Sequence, residues 1–193
     1  MAHGTAPIAA LCLALLTSCA TTPPAGDDPE ATHRADCEGG DAAACFALAK
    51  LYLADAANPK HEDRLRELSK QACDGGHARG CSGLAWLWLN GIGGPRDEAR
   101  ARELNRQGCD GGDRYGCANL GVMLLDGTGG EKDEAAARTF SARACELGKG
   151  SACMDLGFMW LNGKGGDKDE EKAKQLFGKA CKMGFKPGCE KRE

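Results

Sequence analysis

No apolar run in this sequence approaches the roughly 18 to 20 residues that cross a bilayer, so the body of the chain does not read as a membrane span. Excess positive charge is missing too: 25 Lys and Arg stand against 28 Asp and Glu, for a net charge of −3. Phosphate backbones require a basic surface, which excludes nucleic acid as the main partner. No C-x-x-C pair occurs, and redox dithiols and close-ligand zinc sites use that spacing. No Gly-Lys-Ser/Thr follows the glycine-rich segments and no strand pattern precedes them, so they are not phosphate loops. Histidines are few and scattered at His3, His33, His61 and His77, which gives no clustered ligand set for a metal. Aromatic residues make up only 5%.

Cysteine and glycine are abundant, at 12 and 28 of 193 residues. That cysteine load points to an oxidising compartment, a metal or redox chemistry, and spacing has to decide. The first 19 residues contain no Lys, Arg, Asp or Glu. Ile8 to Leu16 is an apolar run of nine, the length of a signal-peptide core and too short to span. It ends in Leu16-Thr17-Ser18-Cys19, which resembles a bacterial lipobox. The resemblance implies a lipoprotein signal peptide over residues 1–18, lipidation of Cys19, and attachment to a membrane through that anchor. Ala20 after the cysteine implies an outer-membrane lipoprotein facing the periplasm or exported. Residues 19–36 are expected to hold the lipidated cysteine and a flexible linker, since Thr21-Thr22-Pro23-Pro24 and their neighbours show no apolar periodicity.

The other ten cysteines fall in pairs eight residues apart, and each pair recurs after 36 residues. Residues 41–76, 77–112, 113–148 and 149–184 align without a gap, and a partial fifth start, 185–193, reads as a cap. A period of this size marks a solenoid of supersecondary units. Each unit spells two helices. The first carries Leu48, Leu84, Leu120 and Leu156, then Leu51, Leu87, Met123 and Met159, then Tyr52, Trp88, Leu124 and Trp160, at the i, i+3, i+4 spacing of an amphipathic helix. Ala49, Ala85, Gly121 and Gly157 put a small residue at one place in every unit, as close helix approach requires. Asn90-Gly91, Asp126-Gly127 and Asn162-Gly163 stop these helices, while the first unit has Asp55-Ala56-Ala57-Asn58-Pro59 there. The second helix opens on Asp97, Asp133 and Asp169, which suit an N-cap. Leu68, Leu104, Phe140 and Leu176 give its buried face.

Leu84-Ala85, Leu89-Asn90-Gly91, Gly93-Gly94, Lys132-Asp133-Glu134 and Ala144-Cys145-Glu146-Leu147-Gly148 resemble Sel1-like repeats, which are tetratricopeptide-like. The cysteine pairs resemble the cysteine-rich, secreted branch of that family known from Helicobacter. The resemblance covers residues 37–189 and implies an all-α fold: a right-handed α/α solenoid of about four 36-residue helix pairs. It implies protein–protein interaction, with no cofactor. Its cysteines are expected to pair locally as Cys37–Cys45, Cys73–Cys81, Cys109–Cys117, Cys145–Cys153 and Cys181–Cys189, one staple per joint, because repeat symmetry favours equal local pairs where sequence alone does not choose. Zinc stays open as a rival use of these thiols.

In tetratricopeptide-like arrays the first helices line the concave wall. Columns on that wall differ from unit to unit, whereas the flanking core columns keep their character. Arg79, Trp86, Asn90, Tyr115, Met154 and Phe158 are the candidate partner-binding residues: aromatics and Met as anchors, Arg79 and Asn90 to orient a peptide backbone. Some of these columns pack between units on an equally available reading. The resulting expectation is a non-catalytic, monomeric, protein- or peptide-binding module of the bacterial cell envelope. The alternative is a β-lactamase or penicillin-binding protein, a description some cysteine-rich relatives carry. Ser18, Ser69, Ser82, Ser141 and Ser151 all lack the Ser-x-x-Lys pattern that a serine enzyme of that kind uses.

Overall fold

In a computed structural model the chain is described over residues 28–54 and 61–191, which form ten α-helices and, among the described residues, no strand. The helices are α1 (Pro29–Glu38), α2 (Ala42–Ala54), α3 (Glu62–Asp74), α4 (Ala78–Asn90), α5 (Glu98–Asp110), α6 (Arg114–Asp126), α7 (Glu134–Glu146), α8 (Gly150–Asn162), α9 (Glu170–Lys182) and α10 (Lys186–Lys191). Helices α2 to α9 make four consecutive pairs in the expected frame, and α10 is the broken fifth start. The signal peptide, Cys19 and the first unit's turn at residues 55–59 lie outside the described residues.

Local chemistry sets the helix ends. Asp97, Asp133 and Asp169 each accept the backbone N–H three residues on, satisfying a donor that the first helical turn leaves free. Gly91, Gly127 and Gly163 end the first helices at φ 69°, 79° and 70°, a left-handed backbone that any Cβ would strain.

Leu48, Leu84, Leu120 and Leu156 are buried between helices, as are Leu68 and Leu104. In the last pair Phe177, one residue beyond the expected Leu176, takes the deep position. Its ring lies so near Gly157 that a Cβ there would meet ring carbons at 2.5 to 3.1 Å, which accounts for the glycine at that position. Leu87, Met123 and Met159 are buried, whereas Leu51 of the same column is 40% exposed. Among the described residues only the short α1 precedes the first unit, whereas each later unit follows a full helix pair.

Five disulfides join the end of one second helix to the start of the next first helix, with Cα–Cα separations of 4.4 to 4.6 Å. They are the five local pairs expected.

One expectation changes. Residues 29–36, assigned to a linker, are helical. Asp28 caps the Glu30 N–H at 3.1 Å, Pro29 opens the helix, Arg34 pairs with Glu30, and Tyr52 donates to Glu30 at 3.2 Å. Shifted by one 36-residue period, α1 falls on residues 65–74 of α3. It is the closing part of a second helix and is tethered through Cys37, so it needs no apolar stripe of its own.

Candidate functional site: a groove on the first helices

Helix α4 touches both α2 and α6 more extensively than any two second helices touch each other, although α6 and α8 do not share this closeness. That asymmetry places the first helices on the inner side of the array. A recess of about 370 Å³ opens there across α2, α4 and α6, with Leu65 and Ser69 of α3 behind it. Its floor is Ala49, Leu87 and Ser82, all buried. Its walls include Phe46, Lys50, Leu53, Arg79, Trp86, Tyr115 and Asn119.

Each wall residue sits where its helix phase puts it. Phe46, Lys50 and Leu53 follow one face of α2 at helical spacing. Arg79 and Trp86 lie two turns apart on α4, and Trp86 is 43% exposed, a large apolar side chain turned outward. The Arg79 guanidinium lies between two rings, 4.8 Å from the centre of Tyr115 and 5.9 Å from that of Phe46. Phe46 in turn stacks on His77 with ring centres 4.5 Å apart.

Of the six residues expected to bind a partner, the recess thus brings together Arg79, Trp86 and Tyr115. Phe158 is exposed but lines a second hollow of about 160 Å³ with Val122, Asp155 and Asn162. Asn90 does not line the recess: its side-chain amide donates to the carbonyl of Trp86 at 2.8 Å, and Asn162 does the same to Phe158. Met154 is a correction. It is only 8% exposed and packs with Cys145, Cys153, Phe177 and Phe185, because the end of α9 and the start of the fifth unit close over it.

Leu53 was not among the candidates, although it lines the recess and is exposed. Its column is Leu in all four units, at 53, 89, 125 and 161, so a rule based on variation between units discards it. Ser69, Ser82 and Ser141 are buried between helices, and Ser82 Oγ donates to the carbonyl of Ala78 at 3.4 Å. Among the described residues no three His, Cys, Asp or Glu side chains gather as a metal site would require.

The profile of the Sel1 repeat matches residues 78–113, 114–149 and 150–185, more than half of the chain. The chain belongs to the Sel1 repeat family. The first pair escapes the match, and that unit lacks the glycine-rich turn of the others. Among solved structures, a protective antigen of uropathogenic Escherichia coli displaying an SLR fold is 25% identical, with a TM-score of 0.76 over 83% of this chain and 34% of that one. A Sel1 repeat protein from Oxalobacter formigenes shares the fold at 22% identity and a TM-score of 0.72, over 82% of this chain and 63% of its own. Helicobacter pylori cysteine rich protein B is 26% identical with a TM-score of 0.56, covering 68% of this chain and 94% of that one. The chain therefore spans about a third of the first of these relatives and under two thirds of the second. No curated protein sequence matches it significantly. Sel1 repeat proteins generally bind other proteins.

Proposed function

We propose that this chain is a non-catalytic, monomeric module of the bacterial cell envelope that binds an extended segment of another protein along its first helices. The observation that carries this reading is the convergence of Arg79, Trp86 and Tyr115, from two helices, in one mostly apolar recess. An aromatic side chain held outward beside an arginine is the composition of a binding hot spot. The repeat architecture supports it, since stacked helix pairs make an extended surface suited to peptides rather than a closed pocket suited to chemistry. Lipidation at Cys19 would hold the module at the outer membrane.

The test is capture of partners from envelope extract by the disulfide-bonded protein. Partners held by the wild type and lost with Trp86→Ala or Tyr115→Ala support the groove; partners indifferent to both count against it. Labelled palmitate incorporation, expected in the wild type and abolished by Cys19→Ala, tests the anchor separately.

A further inference from the structure

Three cations from successive units converge on the ring of Tyr115. The guanidinium carbons of Arg79 and Arg114 stand 4.8 and 5.4 Å from its centre, and the Lys149 ammonium stands at 4.7 Å. None of the three joins an ion pair among the described residues. Arg79 and Arg114 belong to the first turns of α4 and α6, and Lys149 is the N-cap of α8. The partial positive charge of three helix N-termini therefore falls on the same rim.

This rim is continuous with the groove, because Arg79 and Tyr115 line both, and Lys50 adds a fourth cation on the groove wall. No carboxylate lines the recess, in a chain whose net charge is −3. Asp113 adjoins Arg114 in the chain, and Asp155 lies within reach of Lys149. Asp113 is buried and its carboxylate accepts the Gly116 N–H at 2.9 Å. Asp155 feels the field of Lys149 but lines the separate hollow beside Phe158. Gathering like charges around one ring costs Coulomb energy that cation–π attraction offsets only in part. An anion placed on this rim would relieve that repulsion and gain charge-assisted hydrogen bonds.

We propose that the partner segment is acidic: its carboxylates dock against Arg79, Arg114 and Lys149, and an adjacent apolar side chain enters the recess beside Trp86. This rests on the peptide-binding reading and adds the chemistry of the peptide. The charge and the apolar recess are contiguous, so one short segment satisfies both.

Short random peptides displayed on phage, selected against the full-length disulfide-bonded protein, test it. The expected result is enrichment of Asp and Glu next to Leu, Phe or Trp. Synthetic versions of those peptides should bind about tenfold more weakly to Arg79→Gln and to Lys149→Gln, and more weakly still in raised salt. Circular dichroism of both variants should match the wild type, since Arg79 is exposed and the half-buried Lys149 makes no side-chain capping bond. Enriched peptides without acidic residues, or peptides weakened by Trp86→Ala and unaffected by both charge removals, overturn the acidic partner and leave the groove standing. No enrichment, or peptides indifferent to all three substitutions, overturns both.

Discussion

Arg66 and Trp88 belong to neighbouring units, and the Arg66 guanidinium carbon lies 4.1 Å from the centre of the Trp88 ring. Its Nε donates to the carbonyl of Ile92 at 2.8 Å, and Nη2 reaches the carbonyls of Leu87 and Pro95 at 3.4 and 3.2 Å. Arg138 repeats the arrangement 4.1 Å over Trp160, with the carbonyls of Lys164, Met159 and Asp167 as acceptors. Arg102 donates to the carbonyl of Glu131 at 2.9 Å. An arginine on one second helix thus ties down carbonyls of the turn that follows the next first helix.

Replacing Arg66 or Arg138 by Ala is expected to cost about 1 to 3 kcal/mol of stability, because charge-assisted bonds to carbonyls of the next unit are lost. Lysine should not restore the loss: burial already lowers the Arg66 pKa, and a single ammonium cannot fork to several carbonyls while stacking on an indole. Urea midpoints of the wild type and of the Ala and Lys variants measure this.

Gly116 sits inside α6, where intrinsic propensity says that alanine should stabilise the helix by about 1 kcal/mol. The packing argues the other way. A Cβ there would come within 2.9 Å of the Asn105 carbonyl oxygen and the Cys109 backbone nitrogen, neither of which can rotate aside. Gly116→Ala is therefore expected to lower stability by about 1 to 3 kcal/mol. An unchanged or higher melting temperature would show that the helices separate easily at this joint.

Each staple closes a short loop. Removing one by the paired change Cys109→Ser and Cys117→Ser is expected to cost about 2.5 kcal/mol through the added freedom of the unfolded chain. The effect should appear mainly as faster hydrogen exchange in α5 and α6, since repeat arrays transmit stability between neighbours. Peptide mapping without reductant checks the pairing itself.

Acid should weaken the array from its helix starts. The Asp169 carboxylate accepts the Lys172 N–H at 2.9 Å and lies 3.4 Å from the Lys172 ammonium, which together hold its pKa below the ordinary range. Its folded value lies below the unfolded one of about 3.9, so its contribution is present above that pH and is lost as pH falls through the folded value. Melting temperature should decline below about pH 4, and Asp169→Asn should flatten part of that decline.

Much of this architecture is legible in the residues because packing repeats. Leu48 and its equivalents, the cap at Asp97 and the stop at Gly91 each state a local rule, and the same rule returns one unit later. The pairing of the cysteines follows from that regularity too. Helix α1 was hidden, since Pro29 to Glu38 is too short to show periodicity and is defined by what it docks against, Tyr52 and Cys45. The recess was half legible. Variation between units pointed to Arg79, Trp86 and Tyr115, but the same criterion picked Met154, which neighbours bury, and passed over Leu53, which a uniform column disguises. The arginines at 66, 102 and 138 also form a regular column, and a buried-face reading of the second helix overlooks them because they are charged.

Every joint in the array, whether staple, arginine clasp or capped turn, connects adjacent units only. Excising a complete module such as residues 113–148 would therefore bring α5 against α8 through contacts of the kind it already makes with α6. The architecture is open to lengthening and shortening by whole modules, and the length of the first-helix face would scale with their number.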